Sequence, residues 1–592
     1  MSKLRLISGR LDKNIDTEDN CSLLEVIQKH GFFLEAPCGG RGTCKKCTVL
    51  IDNKPHLACQ TRVRDGMTVT LPDYDNLAIG DNKERLLKRL GGIDIAPVIK
   101  RVEIEIASDK RNSYISDLDY LKELLKQKGF VEISISWDKD LFTKIGELTH
   151  KNTTVTVYLF EQKDRVEIVD LLEGGNRRNL AVAIDLGTTT VSLVLLDTEK
   201  GEICDSITFY NPQIVYGADI IQRILFSFKN NGLKPLQEKV TTEIRQSIEF
   251  LALKENLSLD EIKYIVLSGN MTMVHFFLGL PSRFIKEAPY SPVVKDLPVI
   301  NDCLNLINKG RMFIMPCPAN YLGGDLVSGS VSCDLHKSRA INILLDIGTN
   351  GEIIVASRDW LIGCACSAGP AFEGMGLNCG TRYKQGAITD VRDNKGELRY
   401  VIAGGRQPCG ISGSGIISLI KHLKEKGYID NRGKFTDKVT DKIGHRKAFI
   451  LFKPEQSESG QPIYIDETDI DNILRAKAAI YSGISLILKK LSLDLNRINK
   501  LFVAGNLGSS LNIDNAQEIG LLPPLAKDKI VFLGNASLAG AVRYLLSKET
   551  REAVPQIAAK TTYVDLSNEP DYMDEFIAAL FIPHTNMDLF EG

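Results

Sequence analysis

Two short motifs, each occurring twice and in the same order, constrain the fold of this chain more than any other feature. AIDLGTTTVSLVLLD at 183–197 resembles LLDIGTNGEIIV at 344–355, and IVLSGN at 265–270 resembles LFVAGN at 501–506. The order is D-x-G-T, S-G-N, D-x-G-T, A-G-N, and internal repetition of this kind outranks local pattern in reading a fold. Two copies of a half-domain, each opening with a β-hairpin, generate it. Helix-patterned segments lie between the motifs: GADIIQRILFSF, VTTEIRQSIEFLALKENL and DNILRAKAAIYSGISLILKKLS. The duplicated unit is expected over 179–592.

A glycine at a hairpin tip lets backbone amides close on phosphate oxygens. Threonine hydroxyls add donors, and an aspartate at a strand end can hold Mg2+ through water or orient an attacking water. One such motif is also what an ordinary hairpin looks like; its recurrence at the head of both halves favours the phosphate reading. The arrangement resembles the superfamily of sugar kinases, actin and heat-shock chaperone ATPases (the ASKHA fold), in which two half-domains close over ATP. The resemblance implies a first phosphate loop of Asp185, Gly187, Thr188 and Thr189. It implies a second of Asp346, Gly348, Thr349 and Asn350, with Asp346 nearest the hydrolytic water and Asp185 and Asp346 as the catalytic carboxylates. Ala504, Gly505 and Asn506 correspond to the adenosine motif, and GNASLAGA at 534–541 is expected to open a helix beside it. The chain has no G-x-x-x-x-G-K-S/T run, which excludes a P-loop ATPase.

The second constraint is at the other end of the chain. Of 13 cysteines, Cys38, Cys44, Cys47 and Cys59 crowd into one segment with the spacing C-x5-C-x2-C-x11-C. A disulfide framework would be unusual in a reducing compartment, and thiolates are the soft ligands that iron–sulfur clusters and zinc select. Gly39, Gly40 and Gly42 between the first two cysteines let the backbone wrap closely and aim N–H groups at sulfur. Zinc ribbons usually show two short cysteine pairs separated by a longer gap, whereas here three cysteines share one loop and the fourth stands apart, which favours a [2Fe-2S] cluster over zinc. The segment resembles the plant- and adrenodoxin-type ferredoxins in the loop APCGGRGTCKKC. It departs at the last ligand, whose spacing is similar to that in the iron–sulfur subunits of fumarate reductase and the molybdenum hydroxylases. Cys21 falls on a predicted helix and reads as a packing residue.

These signals organise the chain as a multidomain α/β protein. Residues 1–77 read as a β-grasp ferredoxin, with strands KLRLISG, CTVLIDN and MTVTLPD and a helix SLLEVIQKHG. Residues 78–98 read as a charged, glycine-containing linker, and 99–178 as a small α+β domain without a chemical motif. The formal charge of −2 and the absence of a basic stripe argue against nucleic acid as a partner. The most apolar run, LAVAIDLGTTTVSLVLLD, is broken by Asp185 and three threonines, so no membrane span is expected, and MSKLRLISGR lacks the apolar stretch of a secretory signal, leaving the cytoplasm as the default. Three weaker features stay open. Cys364 and Cys366 could pair on a metal or be buried packing; Glu373 could act in the cleft or be structural; GISGSGII at 410–417 could line the nucleotide or serve close helix packing.

A cluster tethered to an ATPase implies uphill electron transfer. A plant-type cluster sits near about −400 mV, and an acceptor about 200 mV lower makes one-electron transfer unfavourable by roughly three orders of magnitude. Over all 592 residues, including the run DEFIAALFIPH at 574–584, the chain resembles the reductive activators of corrinoid proteins. That resemblance implies that the protein passes one electron from its cluster to the inactive Co(II) corrinoid of a methyl-carrier protein, restoring Co(I) at the expense of ATP. It implies a corrinoid protein as partner and an upstream low-potential reductant, and leaves a homodimer open. An ATP-driven donor to a 2-hydroxyacyl-CoA dehydratase, a ferredoxin-fused small-molecule kinase and a redox-sensing scaffold with a silent nucleotide site remain as alternatives.

Overall fold

The structure is a computed structural model. It describes every residue except 1, 9–10, 19, 30–33, 35–41, 43–46, 53, 72–85, 87–91, 108–113, 163–164, 218, 230, 506, 508–510 and 591–592. Cys38, Cys44, Asn506 and most of the expected linker lie outside the described residues.

At the N-terminus five strands form one sheet in the order Leu11–Thr17, Ser2–Ser8, Met67–Thr70, Thr48–Ile51, Lys54–Leu57. Ser2–Ser8 and Met67–Thr70 run parallel at its centre. The helix Leu23–Lys29 packs Leu23, Val26 and Ile27 into one core with Leu4, Leu6, Val49 and Val69. The sequence pattern predicts a strand followed by a helix here; the structure inserts an edge strand, Leu11–Thr17, between them. After Leu11, the strand LDKNIDT is polar except for the buried Ile15, so it lacks clean alternation and has the composition of a protected edge.

A second sheet runs in the order Ile99–Ile106, Thr153–Gln162, Arg165–Glu173, Ile133–Ile135. Its helices start where polar caps dictate. Ser116 accepts from Asp119 N ahead of Asp117–Gln127, and Asp138 accepts from Asp140 N and Leu141 N ahead of Lys139–Leu148. Leu121, Leu125, Leu141 and Ile145 pack against Ile104, Val155 and Ile168 on one face. On the other face Tyr158, Phe160 and Val169 join the core of the duplicated unit.

That unit contains two six-stranded sheets built the same way. The first orders Glu202–Tyr210, Thr190–Asp197, Leu180–Leu186, Ile262–Gly269, Arg311–Ile314 and Ile300–Asn301. The second orders Trp360–Cys366, Gly351–Ser357, Ile341–Ile347, Ile498–Ala504 and Ile530–Gly534, with Thr561–Tyr563 added beyond Trp360–Cys366. In each, three antiparallel strands are followed by two parallel ones on the side of the first strand. The fifth strand of each half leads to a helix, Gly324–Ser332 in one and Ala536–Leu546 in the other, and these two helices pack together between the sheets. The strands buried on both faces carry continuous apolar runs, LAVAI in Leu180–Leu186 and IVL in Ile262–Gly269, as parallel central strands require. Among the described residues no helix is long and apolar enough to cross a membrane.

Candidate functional site

A cleft of about 560 Å3 opens between the two halves. Both D-x-G-T hairpins reach it with their tips. Gly187 N donates to Thr190 O and Gly348 N to Asn350 O, each at 3.0 Å, closing two tight turns. A Cβ on Gly187 would stand 2.7 Å from Thr190 O, so the first turn requires glycine. The tips meet: Thr189 Oγ1 lies 3.1 Å from Thr349 Oγ1. Asn270, which closes the S-G-N motif and caps the helix Met271–Leu278, donates from Nδ2 to Thr188 Oγ1 at 3.1 Å.

Four carboxylates crowd the strand ends around these tips: Asp185, Asp325, Asp346 and Glu352. Asp185 accepts from Asn535 Nδ2 at 2.8 Å and from Ser537 Oγ at 2.7 Å, both supplied by the opposite half. Burial still raises its pKa above the ordinary aspartate value. Burial, then the charges of Asp325, Asp185 and Glu373, pushes Asp346 up to about 7. Burial, then the charge of Asp185, pushes Asp325 up to about 7 as well. Glu352 is driven well above the carboxylate range by burial and by Asp325, Asp346 and Glu373. A carboxyl group poised near neutrality is suited to accept a proton from water, and a cluster of them is suited to a cation.

The opposite wall is formed by small and apolar residues. Ser412 caps the helix Gly413–Glu425 by accepting from Gly415 N, and Ser412, Gly413 and Ser414 line the cleft with Phe372, Gly505 and Leu507. The structure thus brings Asp185, Gly187, Thr188, Thr189, Asp346, Gly348, Thr349, Asn350 and Gly505 to one cavity. Glu373 joins them, accepting from Thr349 Oγ1 at 3.0 Å. Motif reading does not find Asn270 as a site residue, nor Asp325, Glu352, Arg382 or Ser537. The signal for Asp325 is the extent of the repeat: GGD at the head of Gly324–Ser332 occupies the place in the first half that GNAS occupies in the second.

In the N-terminal sheet, the hairpin Thr48–Ile51/Lys54–Leu57 pairs Thr48 with Leu57, and Ala58 N donates to Cys47 O at 2.9 Å. Cys47, which is buried, and Cys59, which is half-buried, are thereby brought to the same end of one hairpin. Cys21 Sγ instead donates to Glu18 O at 2.9 Å, a local contact. Cys364 and Cys366 are buried in the strand Trp360–Cys366 with their thiols pushed up by burial. Cys366 Sγ donates to Gly351 O at 3.0 Å.

Residues 180–338 match the family model described as the RACo middle region, and 340–592 the C-terminal domain of RACo, the ASKHA domain. The α+β sheet within 99–178 thus precedes the segment that the first of these models covers. A solved structure of a reductive activator for corrinoid, iron-sulfur protein superimposes with a TM-score of 0.76 at 32% identity, covering 99% of this chain and 100% of the other. The corrinoid activation enzyme RamQ of Eubacterium limosum is 27% identical over 97% of this chain and 98% of its own length. The Co(II) methylated amine-specific corrinoid protein reductase of Methanosarcina barkeri is 24% identical over 64% of this chain and 72% of its own.

Proposed function

The chain belongs to the family of reductive activators of corrinoid proteins, and on that footing we propose that it delivers one electron to the Co(II) corrinoid of a partner methyl-carrier protein, driven by ATP. The observation that carries the ATP part is the meeting of two hairpin tips from two duplicated halves over a cluster of carboxylates.

In this reading Gly187, Thr188 and Thr189 offer amides and hydroxyls to the phosphates from one side, and Gly348, Thr349 and Asn350 from the other. Gly505 and Asn506 hold the adenosine. Asp346 takes the proton of the attacking water, for which a pKa of about 7 suits it. Asp185, fixed by Asn535 and Ser537, faces the Mg2+ that arrives with the nucleotide. Among the described residues no three His, Cys, Asp or Glu side chains converge as direct ligands of a metal.

Cys38, Cys44, Cys47 and Cys59 would hold a [2Fe-2S] cluster. The shared hairpin end of Cys47 and Cys59 fits two ligands of one centre. Such a cluster, when bound, supplies one electron at a time at low potential. We take 1–77 as the ferredoxin-like carrier, 78–98 as its linker, 99–178 as a small α+β domain and 179–592 as the ATPase, working in the cytoplasm with an upstream low-potential reductant.

The test is to mix the reduced chain with a Co(II) corrinoid carrier protein and follow the visible spectrum. Co(I) is expected with MgATP and not without it. Equal rates with and without MgATP would overturn the proposal.

A further inference from the structure

Polar contacts across the cleft close into a ring. Thr349 Oγ1 donates to Glu373 Oε1 at 3.0 Å and, with its one proton so used, accepts from Thr189 Oγ1 at 3.1 Å. The other carboxylate oxygen of Glu373 accepts from Arg382 Nη2 at 2.9 Å. The Arg382 guanidinium lies over the ring of Tyr210, 4.7 Å from its centroid. Tyr210 pairs with Thr190, the neighbour of Thr189, so the ring returns to the hairpin it left.

The backbone fixes Arg382 in this position. Gly374 ends the turn Pro370–Glu373 at φ +74°, and a Cβ there would stand 2.1 Å from Thr381 O. Thr381 N is itself tied to Ile411 O at 2.8 Å. Glu373 and Arg382 are therefore held side by side in the cleft wall, 20% and 16% exposed, open to an entering ligand yet poorly screened by water.

The charge balance around this pair is lopsided. Among the described residues that line the cleft, Arg382 is the one cation, facing five carboxylates. An anionic phosphate chain entering there meets a single positively charged side chain, one link away from the Thr349 hydroxyl at the hairpin tip. A guanidinium also matches phosphate geometry with paired N–H donors.

We propose that Arg382 contacts the terminal phosphate of the bound triphosphate, giving up its pairing with Glu373 to do so, and that the cleft tells triphosphate from diphosphate through this exchange. The proposal rests on the nucleotide reading above and adds the residue that senses the third phosphate.

The experiment compares binding of MgADP and of a non-hydrolysable MgATP analogue to the full chain and to R382Q. The variant is expected to lose analogue affinity by on the order of tenfold to a hundredfold, as for one charge-assisted hydrogen-bonding group, while MgADP affinity stays within about twofold. R382K should recover part of the loss, because it keeps the charge without the fork. Equal losses for both nucleotides would make Arg382 a prop of the fold and overturn the assignment, as would unchanged analogue affinity. Were the wild-type chain to bind neither nucleotide, the nucleotide reading itself would fall and the assignment with it.

Discussion

Lys263 and Asp170 form an ion pair, Nζ to Oδ2 at 2.5 Å, with side chains 0% and 1% exposed. Asp170 belongs to the small α+β sheet and Lys263 to the central strand Ile262–Gly269 of the first ATPase half. Breaking a buried pair from one side strands the other charge, at about 3–5 kcal/mol. Lys144 also reaches Asp170, at 2.7 Å, and offsets part of that. Lys263→Met should therefore lower the denaturation midpoint, with a cost toward the lower end of that range. Adding Asp170→Leu should recover most of it, as chemical denaturation of the single and double variants would read.

In the proposed function Asp346, which burial pushes up to about 7, accepts the proton of the attacking water. Asp346→Asn should cut ATP hydrolysis by on the order of 10²–10⁴-fold, the range for loss of a general base. Nucleotide binding should persist, since the hairpin backbone is untouched. Phosphate release and nucleotide binding measured on the same preparation check this.

Iron content separates the cysteine roles. Cys47→Ser and Cys59→Ser should each reduce bound iron and the visible absorption of the purified protein, and leave nucleotide binding intact. Cys364→Ser should leave iron unchanged, because that thiol is buried against Gly483 with its proton held on. Metal analysis of the three variants is the measurement.

Lys477 predicts a pH dependence. Its amino group is buried and donates to Phe581 O at 2.5 Å and Pro583 O at 2.6 Å, tying down the C-terminal segment. Burial pulls its pKa from 10.5 down to about 7. Between those values the unfolded chain binds more protons than the folded one, so this group's contribution to stability rises with pH across the window and is lost as pH falls toward 7. Thermal melting from pH 7 to pH 10 should show that slope in the wild type and a flatter one in Lys477→Met.

The sequence made the duplicated halves legible because each half buries its strands on both faces and ends them in a fixed polar motif. Leu180–Leu186 and Ile341–Ile347 announce themselves as apolar runs stopped by D-x-G-T. Asp325 and Arg382 were not legible for the opposite reason. Asp325 follows two glycines and Arg382 sits in a polar loop, neither in a periodic pattern, and each owes its place to a contact outside its own motif. Asp325 reaches the cleft because Gly324–Ser332 packs beside Ala536–Leu546, and Arg382 because Gly374 lets its loop fold onto Thr381. The edge strand Leu11–Thr17 escaped because edges are kept polar. The clustering of Cys47 with Cys59 was visible in spacing alone, since a short hairpin leaves little freedom in where its ends meet.

The strand Ile262–Gly269 carries one further implication. Lys263 lies near its start, locked to Asp170, while Gly269 delivers Asn270 to Thr188 of the first D-x-G-T hairpin at its other end. A strand of this length spans about 25 Å and barely stretches. Arg311, on the neighbouring strand, ties Glu167 of the same small sheet at 2.7 Å. The small sheet is therefore bolted to the first half as a rigid outrigger. A rotation of that half would carry the small sheet with it through these two ion pairs.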